Sequence, residues 1–145
     1  MPANHIQLIA ASLAMVLLVF AVGVALLYTR VQEMRRKRVH PEAVGNSLKM
    51  AAHLEDVQIA DNFRNLFEVP VLFFALSAVA LATGYVPGWL VVCSWAFVGL
   101  RLLHSVIHCT YNTVYHRLAI FLASFALLVA MWGAFFVSVA SKSAA

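Results

Sequence analysis

Two polar quartets interrupt an otherwise apolar chain. The first is Asp61, Arg64, Asn65 and Glu68; the second is Arg101, His104, Ser105 and His108. Both follow the same offsets of 0, 3, 4 and 7. On a helix, at about 100° per residue, that spacing gathers four side chains into one wedge. Three chemistries are open to such residues: an ion pair between the wedges, a metal site, or an activated serine. His104 and His108, one turn apart, could share a metal on one helix face. A closed site needs about four ligands. His116 and Glu68 could contribute, but no second paired-His motif exists, so no metal is expected. Ser105 has histidines beside it but no acid on its own stripe to orient them, which argues against a serine triad. No Gly-rich phosphate loop is present.

The elements that must carry these wedges are membrane spans. The chain has 145 residues, 63% hydrophobic and only 11% charged. An ordinary soluble domain is nearer half apolar and a quarter charged. Four apolar segments stand out, approximately 6–28, 62–86, 89–109 and 118–140, in one domain covering 1–145. Each is long enough to cross a hydrocarbon core of about 30 Å. The fold class is therefore all-α, an integral membrane four-helix bundle. The run Arg30–Arg38 holds five of the ten Lys and Arg residues. Such a run stays on the cytoplasmic side, which puts both termini outside. So apolar a chain is not expected to bind nucleic acid.

Local signals refine the segments. Met1–Gln7 lacks Lys and Arg, and the apolar run after it is too long for a signal peptide, so the first segment is a retained helix. His40-Pro41 predicts a break. Gly45-Asn46-Ser47 predicts the start of another helix, with Asn46 or Ser47 as its cap. Pro70 predicts a kink near Leu66. Gly84–Trp89 reads as a tight external turn with interfacial aromatics. His5, His40 and His53 read as interface or loop residues. Cys93 and Cys109 fall on one helix, roughly 24 Å apart, too far to bridge each other.

Depth brings the two wedges together. Arg101 lies roughly 18 Å from the outer start of its segment. Glu68 lies near the inner start of its own, and Arg117 opens the fourth. Asn65, Glu68, Arg101, His104, His108 and Arg117 should thus share the inner half of the membrane. A buried Arg costs about 2.5–3.5 kcal/mol on insertion scales. Glu68 is the only carboxylate deep enough to be its partner. Two readings follow: a helix-packing ion pair with polar glue around it, or a water-accessible polar pocket opening to the cytoplasm.

Four short helices, Asn65-Leu66-Phe67-Glu68-Val69-Pro70 on the second, Arg101-Leu102-Leu103-His104-Ser105 on the third and an Arg opening the fourth resemble the MAPEG family. Those are the membrane-associated proteins of eicosanoid and glutathione metabolism. The chain is similar to bacterial-type members in its short length and sparse polar decoration. The resemblance implies a homotrimer with glutathione as co-substrate, held at subunit interfaces near the cytoplasmic side. By motif match, Arg64, Asn65 and Glu68 would contact glutathione from the second helix. Arg101 and His104 would do so from the third, with His108 where several members carry Tyr. Arg117 matches the arginine that stabilises the glutathione thiolate.

The expected function is then a membrane glutathione-dependent transferase or peroxidase acting on lipophilic electrophiles or hydroperoxides, in the bacterial inner membrane. Five positions depart from the family pattern. Asp61 stands where glutathione-binding members tend to have Arg. Leu118 stands where the prostaglandin synthase has its catalytic Ser, and Phe121, Leu122 and Phe125 replace polar residues of that enzyme. Prostaglandin isomerase chemistry is not expected. The alternative is a non-catalytic lipid- or ligand-binding protein on the same scaffold; a third is a purely structural membrane subunit.

Overall fold

Helix α1 spans Ala3–Lys37, α2 spans Gln58–Ala82, α3 spans Gly88–Cys109 and α4 spans Val114–Ser143. They are the α-helices among the described residues of the computed structural model, which are 2–40, 42 and 58–143. All four are long and apolar enough to cross a membrane. The expected helix start at Gly45-Asn46-Ser47 lies outside the described residues, as do Pro41 and His53.

The bundle is not built by sequence neighbours alone. Helix α1 packs on α2 and α3, and α4 packs mainly on α3. Heptad spacing explains the contact. Leu8, Ala11, Met15, Val22 and Leu26 make the buried stripe of α1. Leu66, Val69, Phe73, Leu76 and Ala80 make that of α2, and Leu128, Met131 and Phe135 that of α4. Such a stripe keeps one face of each helix on its partner. Phe73 stacks on Phe97 at 4.9 Å between ring centroids, in the middle of the core. Apolar side chains such as Leu17, Phe20, Val24 and Phe136 cover the outside, as a lipid-facing surface requires.

Helix ends differ from the sequence expectation for identifiable reasons. Helix α1 runs past its apolar stretch because the residues that follow are good helix formers. It then stops at Lys37, before the expected break at Pro41. Arg38 adopts the left-handed conformation, with φ 52°. Its N–H bonds the Arg35 carbonyl, and the Val39 N–H bonds the Met34 carbonyl at 3.0 Å. That pair of bonds is a Schellman cap, here without its usual glycine. Helix α2 ends at Ala82 instead of Val86, because Gly84 turns the chain with φ 68°. Pro70 lies inside α2, which continues through it.

The two ends of the bundle have opposite characters. At one end Asn4 Nδ2 donates to the Val86 carbonyl at 3.0 Å, and the Lys142 ammonium lies 3.9 Å from the Tyr85 ring centroid. The other end collects the last turns of α1, the start of α2 and the α3–α4 loop. Arg35, Arg36 and Lys37 crowd the last turn of α1 there. They complement its negative dipole end. Lys37 also pairs with Glu33 at 2.9 Å.

Candidate functional site

The α3 stripe changes chemistry along its length. Leu90, Ser94, Phe97, Arg101, His104 and His108 are all buried, at alternating steps of four and three. Leu90 and Phe97 complete the apolar core, and Ser94 Oγ between them donates to the Leu90 carbonyl. The last three carry the same register into the basic end, where the stripe becomes a column of nitrogen. Helix geometry alone therefore fixes their common direction. His104 and His108 stack, with ring centroids 5.6 Å apart and planes at 15°.

A cavity of about 430 Å³ opens beside this column. Asp61, Arg64, Asn65 and Glu68 line it from α2, His104 and His108 from α3, and Arg117 from α4. Val114, Leu118 and Phe121 supply an apolar wall. Of the residues singled out by spacing and resemblance, seven share this one cavity: Asp61, Arg64, Asn65, Glu68, His104, His108 and Arg117. Arg101 is not on its wall. It is fully buried behind it, with its guanidinium carbon 5.8 Å from the Phe121 ring centroid.

The expected Glu68–Arg101 ion pair is not formed. Arg101 Nη2 instead donates to the backbone carbonyl of Asn65 at 3.0 Å. Its Nε and Nη1 have no partner among the described residues. Ion pairs among the described residues are Lys37–Glu33 and His40–Glu42. The reason is rotational. The buried stripe of α2 passes through Leu66 and Val69, so Glu68 turns to the exposed side with Asp61 and Arg64. The two quartets share their offsets but not their burial: the α3 quartet is buried, whereas Asp61, Arg64 and Glu68 are exposed. The acceptor lies one residue before Leu66, whose carbonyl has no helical donor because Pro70 lacks an N–H.

Arg117 is tied at three points. Its backbone N–H donates to the Thr113 carbonyl at 3.0 Å. Its own carbonyl lies 3.3 Å from His104 Nδ1. A carbonyl only accepts, so that contact calls for the His104 tautomer with hydrogen on Nδ1. Finally, Arg117 Nη1 donates to Asn112 Oδ1 at 3.0 Å.

Asn62 was missed from sequence. It is fully buried between α2 and α3; its Oδ1 accepts from Ser105 Oγ, and its Nδ2 donates to Cys109 Sγ, both at 3.3 Å. The signal was available. Asn62 stands one step before Leu66, Val69, Phe73 and Leu76 in the same buried register. A polar residue in a core register is informative, since it must find a partner across the interface. Asn112 carried no comparable signal, because nothing periodic governs a short loop.

Four spans of membrane-crossing length, with a charged cavity at the basic end, define a multi-pass membrane protein with a polar pocket among its helices. Within that class, a family model described as the MAPEG family matches residues 8–137, and the chain belongs to that family. No curated protein and no solved structure gives a match.

Proposed function

We propose that the protein is a glutathione-dependent transferase or peroxidase of the bacterial inner membrane, acting on lipophilic electrophiles or hydroperoxides. One observation carries this reading: a single cavity joins two guanidiniums and two carboxylates to an apolar wall, within a membrane bundle. Glutathione has two carboxylates, one ammonium and a thiol. Arg64 and Arg117 suit its carboxylates or thiolate, and Glu68 and Asp61 suit its ammonium. The orphaned donors of Arg101 add positive potential from behind. When bound, glutathione supplies the sulfur nucleophile. Arg117 lowers the cost of its negative charge, as a cation beside a thiol does. Val114, Leu118 and Phe121 offer the apolar co-substrate a surface and keep water away from that sulfur. In the transferase case the electrophile gains a C–S bond and loses its leaving group. In the peroxidase case two glutathiones become a disulfide while the hydroperoxide becomes an alcohol and water.

Asp61, Arg64 and Glu68 are exposed in a single chain, although they open a membrane span. Charges at such depth call for protein, water or ligand. A homotrimer with ligand at subunit interfaces meets that requirement.

Titration calorimetry of reduced glutathione into detergent-purified protein tests the proposal, with Arg117→Ala as control. Saturable heat is expected, with proton release that the control loses. No heat at millimolar glutathione defeats it. The second reading, a non-catalytic lipid-binding protein, is favoured by one feature: Asp61 lines the cavity and repels a second carboxylate. Specific lipid binding that glutathione does not compete would select it.

A further inference from the structure

The α3–α4 loop is short, and its shape depends on one residue. Thr110 N–H and Asn112 N–H both reach the Ile107 carbonyl, at 3.4 and 2.9 Å. Closing the chain this tightly puts Asn112 at φ 46°. Side chains other than Asn, Asp and His rarely adopt that left-handed conformation, and glycine adopts it at least cost. The backbone alone would therefore be served best by glycine. What asparagine adds is an amide oxygen, and that oxygen accepts the Arg117 Nη1–H at 3.0 Å.

We propose that Asn112 is a positioning residue that aims Arg117 into the cavity, an inference that rests on reading Arg117 as the group facing the glutathione sulfur. A guanidinium is planar and rigid, so fixing one N–H fixes the orientation of the others. The Arg117 backbone is already held by Thr113 and His104. Among the described residues, Asn112 makes the one hydrogen bond that holds its side chain. Without it, a half-exposed side chain in the first turn of α4 swings among its rotamers, and its charge spends less time at the sulfur. The chemistry of the amide matters as well. A neutral acceptor orients the cation and leaves its charge whole, whereas a carboxylate here would cancel the charge that the thiolate needs.

The thiol's titration reads this out. The charged and titratable groups that face it are Asp61, Arg64 and Glu68 from α2, His104 and His108 from α3, and Arg117 from α4, with Arg101 behind. Asn112→Gly changes none of them. It also keeps, or relaxes, the left-handed turn.

The experiment follows thiolate absorbance of bound glutathione against pH in the wild-type protein, Asn112→Gly and Asn112→Asp, alongside thermal unfolding. Asn112→Gly is expected to unfold no earlier than wild type. Its bound thiol should titrate about one unit higher, a loss of about tenfold in thiolate at pH well below the midpoint. Asn112→Asp, which retains the turn and the acceptor, should shift in the same direction through charge cancellation. A wild-type titration in Asn112→Gly overturns the proposal. Should that variant fail to fold, a wild-type titration in Asn112→Asp overturns it equally. A wild-type protein that binds glutathione without ever developing thiolate removes the Arg117 reading, and the Asn112 proposal falls with it.

Discussion

Replacing Arg101 by Met separates two accounts of the buried charge. Were Arg101 the partner of a buried Glu68, removing it would strand a carboxylate and cost about 3–5 kcal/mol. The observed contacts give a different figure. Arg101 forms one hydrogen bond, to the Asn65 carbonyl, and a hydrogen bond from a charged group contributes about 1.5–3 kcal/mol. Holding the charge within the span costs about 2.5–3.5 kcal/mol on insertion scales. These terms oppose each other and are nearly equal. Met fills much of the same space without a charge, and the Asn65 carbonyl keeps its place in the helical ladder. Arg101→Met should therefore lie between about 2 kcal/mol more stable than wild type and about 0.5 kcal/mol less stable. Denaturant titration in mixed micelles, followed by circular dichroism, measures it. On the proposed function the same variant should bind glutathione about tenfold more weakly or worse, through loss of a charged donor behind the cavity. A stability loss above about 3 kcal/mol would refute the reasoning and restore the Glu68 pairing.

Other substitutions test separate parts of the fold. Asn62→Ala should cost about 1–3 kcal/mol, because Ser105 Oγ loses its buried acceptor; an unchanged denaturation midpoint would mean that α2 and α3 are held by packing alone. Arg38→Gly should stabilise the end of α1 by about 1 kcal/mol, since glycine takes the left-handed cap without a Cβ clash; slower amide exchange in the last turn would show it. Lys142→Ala should cost no more than about 1 kcal/mol, the worth of an exposed cation–π contact, and a larger drop in unfolding temperature would assign Lys142 a further role. Glu68→Gln should weaken assembly if Glu68 meets another subunit, a change visible as a smaller particle by light scattering; an unchanged mass would leave Glu68 facing water or ligand.

Much of this architecture could be read from sequence because membrane helices are written in long signals. The four spans follow from uninterrupted apolar stretches, and the basic end follows from the clustering of Arg and Lys. Level along the bundle was also legible: counting residues from the segment ends brought Asn65, Glu68, His104, His108 and Arg117 together, and they line one cavity. What counting could not supply was rotation. Asp61, Arg64, Asn65 and Glu68 share their spacing with Arg101, His104, Ser105 and His108, and equal spacing suggested facing stripes. Facing depends on which stripe is buried, and that is read from the apolar residues between the charges. In α2 the register of Leu66, Val69 and Phe73 runs back to Asn62, not to Glu68. In α3 the register of Leu90 and Phe97 runs forward to Arg101. Extending each apolar register through the polar zone would have turned Glu68 outward and placed Asn62 in the core. It would not have found Asn112, whose contact with Arg117 exists because the loop turns left-handed at one residue. Periodicity describes positions along a helix, whereas that hydrogen bond depends on where a helix stops.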